Sequence, residues 1–577
     1  MRIRSFIAWW SSEGEAATAP RRQPNAREQW KEWRRGQMTV RYLARAMAPV
    51  ASVDSDALPE LVLGDDSEFN AGGNVEHGAS GAPIRYDEAT NELVARTSIV
   101  ALPPIFLYRG GRTTAIASDI HLLVDVLGAR LELEPRGVTE LGHFGHPVDH
   151  RTLYRGVEIV AGGSRLRLGR RGAAVERVWR LPARAPLAWP EFLEAQIDAF
   201  TRHVQAIDVS QSFLSLTAGL DTRTVFAALA QQHRLITAAT MTGVRRSLDA
   251  RIAGRLCRAY GIQHDAITFD DQFVRTLPAF VEQASRLSGG LASLDQAPEV
   301  YLYDQLGGRF AARLSGNLGN QVGRGGTEGV SVRAARLDIL APRLRHAPPG
   351  DHWLLAHLDQ DETTTLEFIL QREIPFTLVS NFCVGNHFAA QQSPYASHAL
   401  IATLARRPAD RAGAPSGSRL RMRLRDLRHR FLGEPESHSF QRTLVRRIGG
   451  FVADCPVNWG WRPSGGVSPA GLALGAATLA GMFARAKGLD GGLLRKPLAW
   501  SGLPALHDFR EARRWLRNEL HDFTLDTLGS SAIRDADLFD EGVLRATLDD
   551  HFQGRRDHYH TVTFALDLAL AHRTFCQ

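Results

Sequence analysis

The sequence predicts a mixed α/β protein in two parts: a β-rich domain over residues 1–182, then a doubly wound parallel sheet with a helical C-terminal part over residues 190–577. Three observations predict it. Short apolar runs separated by Gly, Asp and Asn fill the first part. A stretch with three prolines, LPARAPLAWP (Leu181–Pro190), then interrupts the chain. After it, apolar runs of strand length alternate with segments of helical period, and the helical period dominates from about residue 330 onward.

The strands of the first part are LPELVLG, NELVART, IFLYRG, TTAIASD and SRLRLG. Residues 11–29 are polar and rich in Pro and Ala, which marks a loop insertion. In the second part Phe213–Leu216 is the first strand, and Val225, Phe226, Ala228 and Leu229 give the apolar side of the helix after it. Leu235–Met241 is the second strand. A helix with Ile252, Leu256, Ala259 and Tyr260 at helical spacing follows, and His264–Phe269 is the third strand. This βαβαβ order implies parallel pairing, and ligands of such sheets sit at the carboxyl ends of the strands. The apolar stretch Pro469–Phe483 is short for a membrane span and is expected to be a buried helix.

A chain of 577 residues exceeds one hydrophobic core. Hydrophobic residues at 44% and charged residues at 23% are ordinary for globular proteins. Only three lysines occur (Lys31, Lys487 and Lys496), so the formal charge of +7 rests on arginine. Those arginines are scattered among acidic residues instead of clustering with aromatics, which argues against a nucleic-acid partner. Cys257, Cys383, Cys455 and Cys576 form no CxxC pair, and no secretory signal is evident, so a reducing cytoplasm is the expected location.

The turn after the first strand of the parallel sheet carries the chemistry. Thr217, Ala218 and Gly219 are small enough for backbone to approach a ligand, and the helix that follows offers N–H groups and a positive dipole end. That suits phosphate. Thr217 and Thr222 add hydroxyls, and Asp221 would hold a cation that phosphate accepts. The same residues also fit an ordinary helix cap by Asp221 or Thr222. It is not a Walker loop, because the Gly-Lys-Ser/Thr ending is absent.

LTAGLDTR (Leu216–Arg223) resembles the SGGLDS pyrophosphate loop of the asparagine-synthetase-like ATP pyrophosphatases, with Thr for Ser, Ala for the first Gly and Thr for the last Ser. Further landmarks follow in order. TMTGVRRSLDARIAGRLCRAYGIQH is similar to the stretch that frames adenine and leads into an Asp-x-x-x-Ala helix. RLSGNLGNQVGRG (Arg313–Gly325) resembles the second loop, LSGEGADELFGG, and QQSPYASHALI resembles RTPFLDHRLV. In the first part, PPIFLYRGGRTTAIASDIHLL and TLYRGVEIVAGGSRLRL resemble strands of the glutaminase-like sandwich domain. The landmarks span about residues 95–470.

The resemblance implies a glutaminase-like β-rich sandwich followed by an ATP-pyrophosphatase domain that uses ATP and Mg2+. It implies that Thr217, Ala218, Gly219, Asp221 and Thr222 cradle pyrophosphate, that Asp221 holds the metal, and that Ser215 and Met241 frame the adenosine. Gly316 and Asn317 belong to the second loop. Two departures stand out. Arg2 occupies the place of the glutaminase cysteine, which points to the branch with a vestigial sandwich, such as β-lactam synthetases and lasso-peptide cyclases. The metal-sharing Asp of the second loop is Asn320 here and its neighbouring Glu is Gln321, with Arg324 close by as a replacement contact to phosphate. The expected activity is adenylation of a substrate carboxylate followed by amide formation. The resemblance implies attack by an amine as in a lasso-peptide (macrolactam) cyclase, acting on a precursor peptide with a partner peptidase; the alternatives are amidation of a surface-polysaccharide sugar acid or a small metabolite, and a non-catalytic nucleotide-binding relative. NWGWRP (Asn458–Pro463) stands where the family carries a catalytic lysine loop but has no lysine, and Arg462 is the candidate for its task.

Overall fold

The computed structural model describes residues 2–11, 30–35, 37–44, 61–64, 81–111, 113–244, 247–323, 335–346, 366–408, 438–473, 475–476 and 511–577. Among the described residues the first part holds eleven strands: β1 (Arg2–Ser11), β2 (Trp30–Arg35), β3 (Met38–Ala44), β4 (Leu61–Gly64), β5 (Gly81–Asp87), β6 (Glu92–Arg96), β7 (Phe106–Gly110), β8 (Thr113–Ala117), β9 (Val157–Ile159), β10 (Ser164–Gly169) and β11 (Gly172–Arg177). Hydrogen bonds join them into one sheet of order β11-β10-β6-β5-β4-β1-β8-β7-β9, with β3 on β1 and β2 on β3. Leu166 and Leu168 of β10 share one buried cluster with Phe6 and Ala8 of β1 and Ile116 of β8. Strands far apart in the order therefore face each other, so the sheet curls over its own core.

The sequence pattern does not predict a strand at β1, yet among the described residues it is the longest strand and pairs with three others. Its side chains alternate with period two. Phe6, Ala8 and Trp10 enter the core inside the sheet. Ile7 and Trp9 face a second core, shared with the helices Ile120–Leu127, Asp271–Ser288 and Tyr559–Phe575. That second core joins the two parts of the chain. Tyr154 packs on Phe575 at 5.3 Å between ring centres and donates its hydroxyl to the Gly289 carbonyl at 3.1 Å. Asp149 meets Arg372 at 2.7 Å.

Among the described residues the second part is built on five parallel strands: β12 (Ser212–Ser215), β13 (Ala238–Gly243), β14 (His264–Phe269), β15 (Ala312–Leu314) and β16 (Ala390–Gln392). Their order is β14-β13-β12-β15-β16. The chain thus winds outward from β12 to β14, then returns to the other side of β12 as β15. The crevice between the carboxyl ends of β12 and β15 is the switch point where ligands of such sheets bind. The helix Leu248–Ala259 starts at Ser247, whose hydroxyl accepts from the Ala250 N–H at 3.2 Å. The stretch expected as a buried helix from Pro469 is helical at its described start, but Leu472 there is exposed, and residues 477–483 lie outside the described residues. Among the described residues no helix is long and apolar enough to cross a membrane.

One face of this sheet holds a buried ion pair. Arg313 of β15 donates to Glu299 of the helix Ser293–Leu306 at 2.5 Å and to the Ser215 hydroxyl at 2.6 Å. Both charged groups are buried. Burial alone would lower the Arg313 pKa, but the Glu299 carboxylate and the Tyr303 oxygen outweigh it and raise it. Breaking such a pair leaves an uncompensated buried charge. Glu299→Leu should therefore destabilise the protein by about 3–5 kcal/mol in urea denaturation, and Glu299→Leu with Arg313→Met should recover most of that loss.

Candidate active site

The turn after β12 folds tightly on itself. The Thr217 N–H donates to the Thr222 hydroxyl at 3.1 Å, and the two threonine hydroxyls lie 3.1 Å apart. The Gly219 N–H donates to the Thr217 hydroxyl at 3.2 Å. The Ala218 N–H donates to Asp249 Oδ1 at 2.8 Å. Three amides expected to cradle phosphate thus have protein acceptors. The cap of the helix Leu220–Gln231 is Gly219, with no side-chain cap bond, so neither Asp221 nor Thr222 is the cap. Asp221 stands in the first helical turn, where a carboxylate interacts favourably with the helix dipole.

The second loop lies directly on this turn. A Cβ added at Gly319 would sit 2.6 Å from Asp221 Cγ, and one added at Gly316 would sit 2.8 Å from the Thr222 nitrogen. Only glycine permits so close an approach of backbone. The loop then turns through a short π-helix, Gly319–Gly323, that includes Asn320. Leu318 just before it is buried with φ of 68°, a conformation that costs a side-chain-bearing residue about 1–3 kcal/mol. Asn317 donates its N–H to Ser315 Oγ at 3.3 Å and accepts from Ser393 Oγ at 2.5 Å.

Two residues that sequence reasoning did not single out hold Asp221 in place. The Tyr395 hydroxyl donates to the Asp221 carbonyl at 3.1 Å. Gln441, fully buried on the helix Ser439–Ile448, donates Nε2 to Asp221 Oδ1 and to the Gly319 carbonyl, both at 3.1 Å. A signal for Gln441 existed: the buried residues of its helix are Phe440, Gln441, Leu444 and Val445, so it is the polar residue in an apolar stripe. A third anchor is Arg223, fully buried and donating to the Cys455 carbonyl and, at 2.9 Å, to the Pro456 carbonyl. Burial pushes its pKa down to about 10. Arg223 thereby ties the segment containing NWGWRP to the first loop, and the Asn458 N–H reaches the Ala218 carbonyl at 3.3 Å.

The structure thus brings Thr217, Ala218, Gly219, Asp221, Thr222, Gly316, Asn317 and Asn320 into two adjoining loops at the switch point. Ser215 ends β12 with its hydroxyl on Arg313, and Met241 packs partly buried against the cluster of Phe213, Ala239 and Leu302. Arg462 is exposed, while Trp461 is buried against His438. Arg324 lies outside the described residues.

No family model matches the chain. A protein of Mycobacterium bovis named "Putative asparagine synthetase", glutamine-hydrolysing, is 29% identical over 217 residues, which cover 34% of this chain and 32% of that protein. Mycobacterium tuberculosis proteins of the same name give the same figures. The chain spans about a third of the length of these curated relatives. The similarity supports a relation to the asparagine-synthetase-like proteins over about a third of the chain.

Gly319→Ala should cost about 1–3 kcal/mol, because the new methyl meets an Asp221 that Tyr395 and Gln441 already hold. Gly542→Ala is the control. It lies in the helix Glu541–Phe552 with its nearest contact at an ordinary 3.5 Å, and should gain about 0.4–1 kcal/mol. Urea denaturation of both variants reads the opposite signs.

Proposed function

We propose that the protein is an ATP-dependent amide ligase that adenylates a substrate carboxylate and releases AMP and pyrophosphate. The observation that supports this most is the meeting of two glycine-rich loops over Asp221 at the β12–β15 switch point. The similarity to asparagine synthetases points the same way.

The donor set suits a hard cation: the Asp221 carboxylate, with Asn320 offering a carbonyl oxygen in place of a carboxylate. Bound there, Mg2+ would neutralise charge on the transferring phosphate. The residues of the chain do the positioning. The amides and hydroxyls of Thr217–Thr222 orient the pyrophosphate, and the ends of β12 and β13, at Ser215 and Met241, flank the adenosine. The substrate carboxylate attacks the α-phosphorus, forming an acyl-adenylate as pyrophosphate leaves. An amine then attacks the acyl carbon and AMP leaves. Positioning and charge neutralisation together supply most of the acceleration in such a step.

The amine comes from the substrate itself, as in a macrolactam cyclase acting on a precursor peptide, or from ammonia supplied by another enzyme. Glutamine is not its source, because residues 1–182 contain no cysteine. Elsewhere, burial raises the Cys257 thiol to about 11 and the Cys383 thiol well above its ordinary range, so neither is a ready nucleophile. A second reading, a binding-only relative, is favoured by the protein acceptors on the Thr217, Ala218 and Gly219 amides. Under the ligase reading those bonds open when pyrophosphate binds.

Asp221→Ala should abolish conversion of ATP to AMP, measured with candidate carboxylates and Mg2+, while circular dichroism shows an intact fold. Retained turnover would remove Asp221 from the mechanism. Wild-type protein should release no ammonia from glutamine in a coupled glutamate dehydrogenase assay. Undetectable ATP binding by calorimetry would overturn the ligase reading.

A further inference from the structure

Gln441 is placed as a metal ligand would be. Its Nε2 lies 3.1 Å from both Asp221 Oδ1 and the Gly319 carbonyl oxygen. Its own Oε1 is buried and has no hydrogen-bond partner. The two ends of a carboxamide have nearly the same size and differ in chemistry only, so a half-turn about the last side-chain bond exchanges them. After that turn three oxygens of hard character converge: a carboxylate, a backbone carbonyl and a side-chain carbonyl. The spacing agrees. Two neighbouring ligands of an octahedral cation held at about 2.0–2.1 Å stand about 3 Å apart. Among the described residues no group of three His, Cys, Asp or Glu could hold a metal, so a cation here has to take carbonyl oxygens.

The surroundings fix the carboxamide where it is. A Cβ at Gly323 would lie 2.7 Å from Gln441 Nε2 and 3.1 Å from Tyr395 Cε1, so glycine leaves the room that the amide occupies. The side chain is fully buried and its helix packs against the helix that carries Asp221. We propose that Gln441 is a cation ligand, acting with Asp221 and the Gly319 carbonyl, and supplies one more neutral oxygen to a site whose second loop offers the amide of Asn320 instead of a carboxylate. With no cation bound, the NH2 end faces the two oxygens and satisfies them. With a cation bound, Oε1 faces it. This rests on the assignment of Asp221 as a metal holder and names a ligand that assignment lacked.

The test uses full-length protein and Mn2+ as the probe, with free Mn2+ followed by electron paramagnetic resonance and no nucleotide present. Wild-type protein should bind Mn2+. Gln441→Leu and Asp221→Asn should each weaken it about tenfold or more, and Gln441→Glu should tighten it, since it adds a charge at the same place. A residue that merely braces the loops would not give the tightening by glutamate. Thermal melts by circular dichroism confirm that the variants are folded. If Gln441→Leu unfolds, the Gln441→Glu result alone decides. Failure of wild-type protein to bind Mn2+, equal affinity in wild-type and Gln441→Leu protein, or glutamate binding no tighter than glutamine each overturns the proposal. Turnover of ATP to AMP that requires Asp221 but leaves Mn2+ affinity indifferent to Gln441 would overturn the ligand role and leave the ligase reading standing. Mn2+ binding that follows Gln441 as expected, without any ATP turnover, would do the reverse.

Discussion

The arrangement at the carboxyl edge of the parallel sheet depends on one steric constraint: the second loop approaches the helix after β12 more closely than a side chain allows. Gly316 lies against the Thr222 amide and Gly319 against the Asp221 side chain. Because both positions lack a Cβ, Asp221 stands between two loops instead of at the mouth of one. Its neighbours are then set. The Gly319 carbonyl comes within reach of Gln441, which binds it and Asp221 through one nitrogen. Gly323 leaves space for that carboxamide and for Tyr395.

A polar network this well enclosed is stable only when its members are satisfied. Most are. Asp249 takes the Ala218 amide, Thr222 takes the Thr217 amide, and Arg223 gives two of its nitrogens to the carbonyls of Cys455 and Pro456. Two buried atoms of this network are exceptions, Arg223 Nε and, on the side chain that holds Asp221, Gln441 Oε1. An orphaned buried acceptor costs about 1–3 kcal/mol. Its position beside the Asp221 carboxylate connects a local energetic cost to the chemistry attributed to the site.

The two parts of the chain are joined through apolar packing more than through charge. The helix Tyr559–Phe575 contributes to the core that also receives Ile7 and Trp9 of β1, and Tyr154 reaches across to Phe575 and Gly289. Asp567 of the same helix accepts from the Ser293 N–H at 2.9 Å, at the start of the helix whose Glu299 holds Arg313. The end of the chain is thereby linked to the face of the parallel sheet opposite the helix that carries Asp221.

The sequence by itself was enough for the strands at Glu92–Arg96, Phe106–Gly110, Thr113–Ala117 and His264–Phe269, for the helices between the parallel strands, and for the two loops as places of interest. These follow from periodicity and turn residues, which neighbours along the chain encode. β1 was missed because its residues are apolar on both faces, as two cores require, and so show no alternation. Only the tertiary structure decided that Gln441 meets Asp221, 220 positions earlier in the chain, and that Asp249 meets Ala218. Ser215, a plausible neighbour of a nucleotide by position, lies with its hydroxyl on Arg313 for the same reason. Which polar groups face one another across a sheet edge is set by how whole elements pack, and no local pattern of residues carries that information.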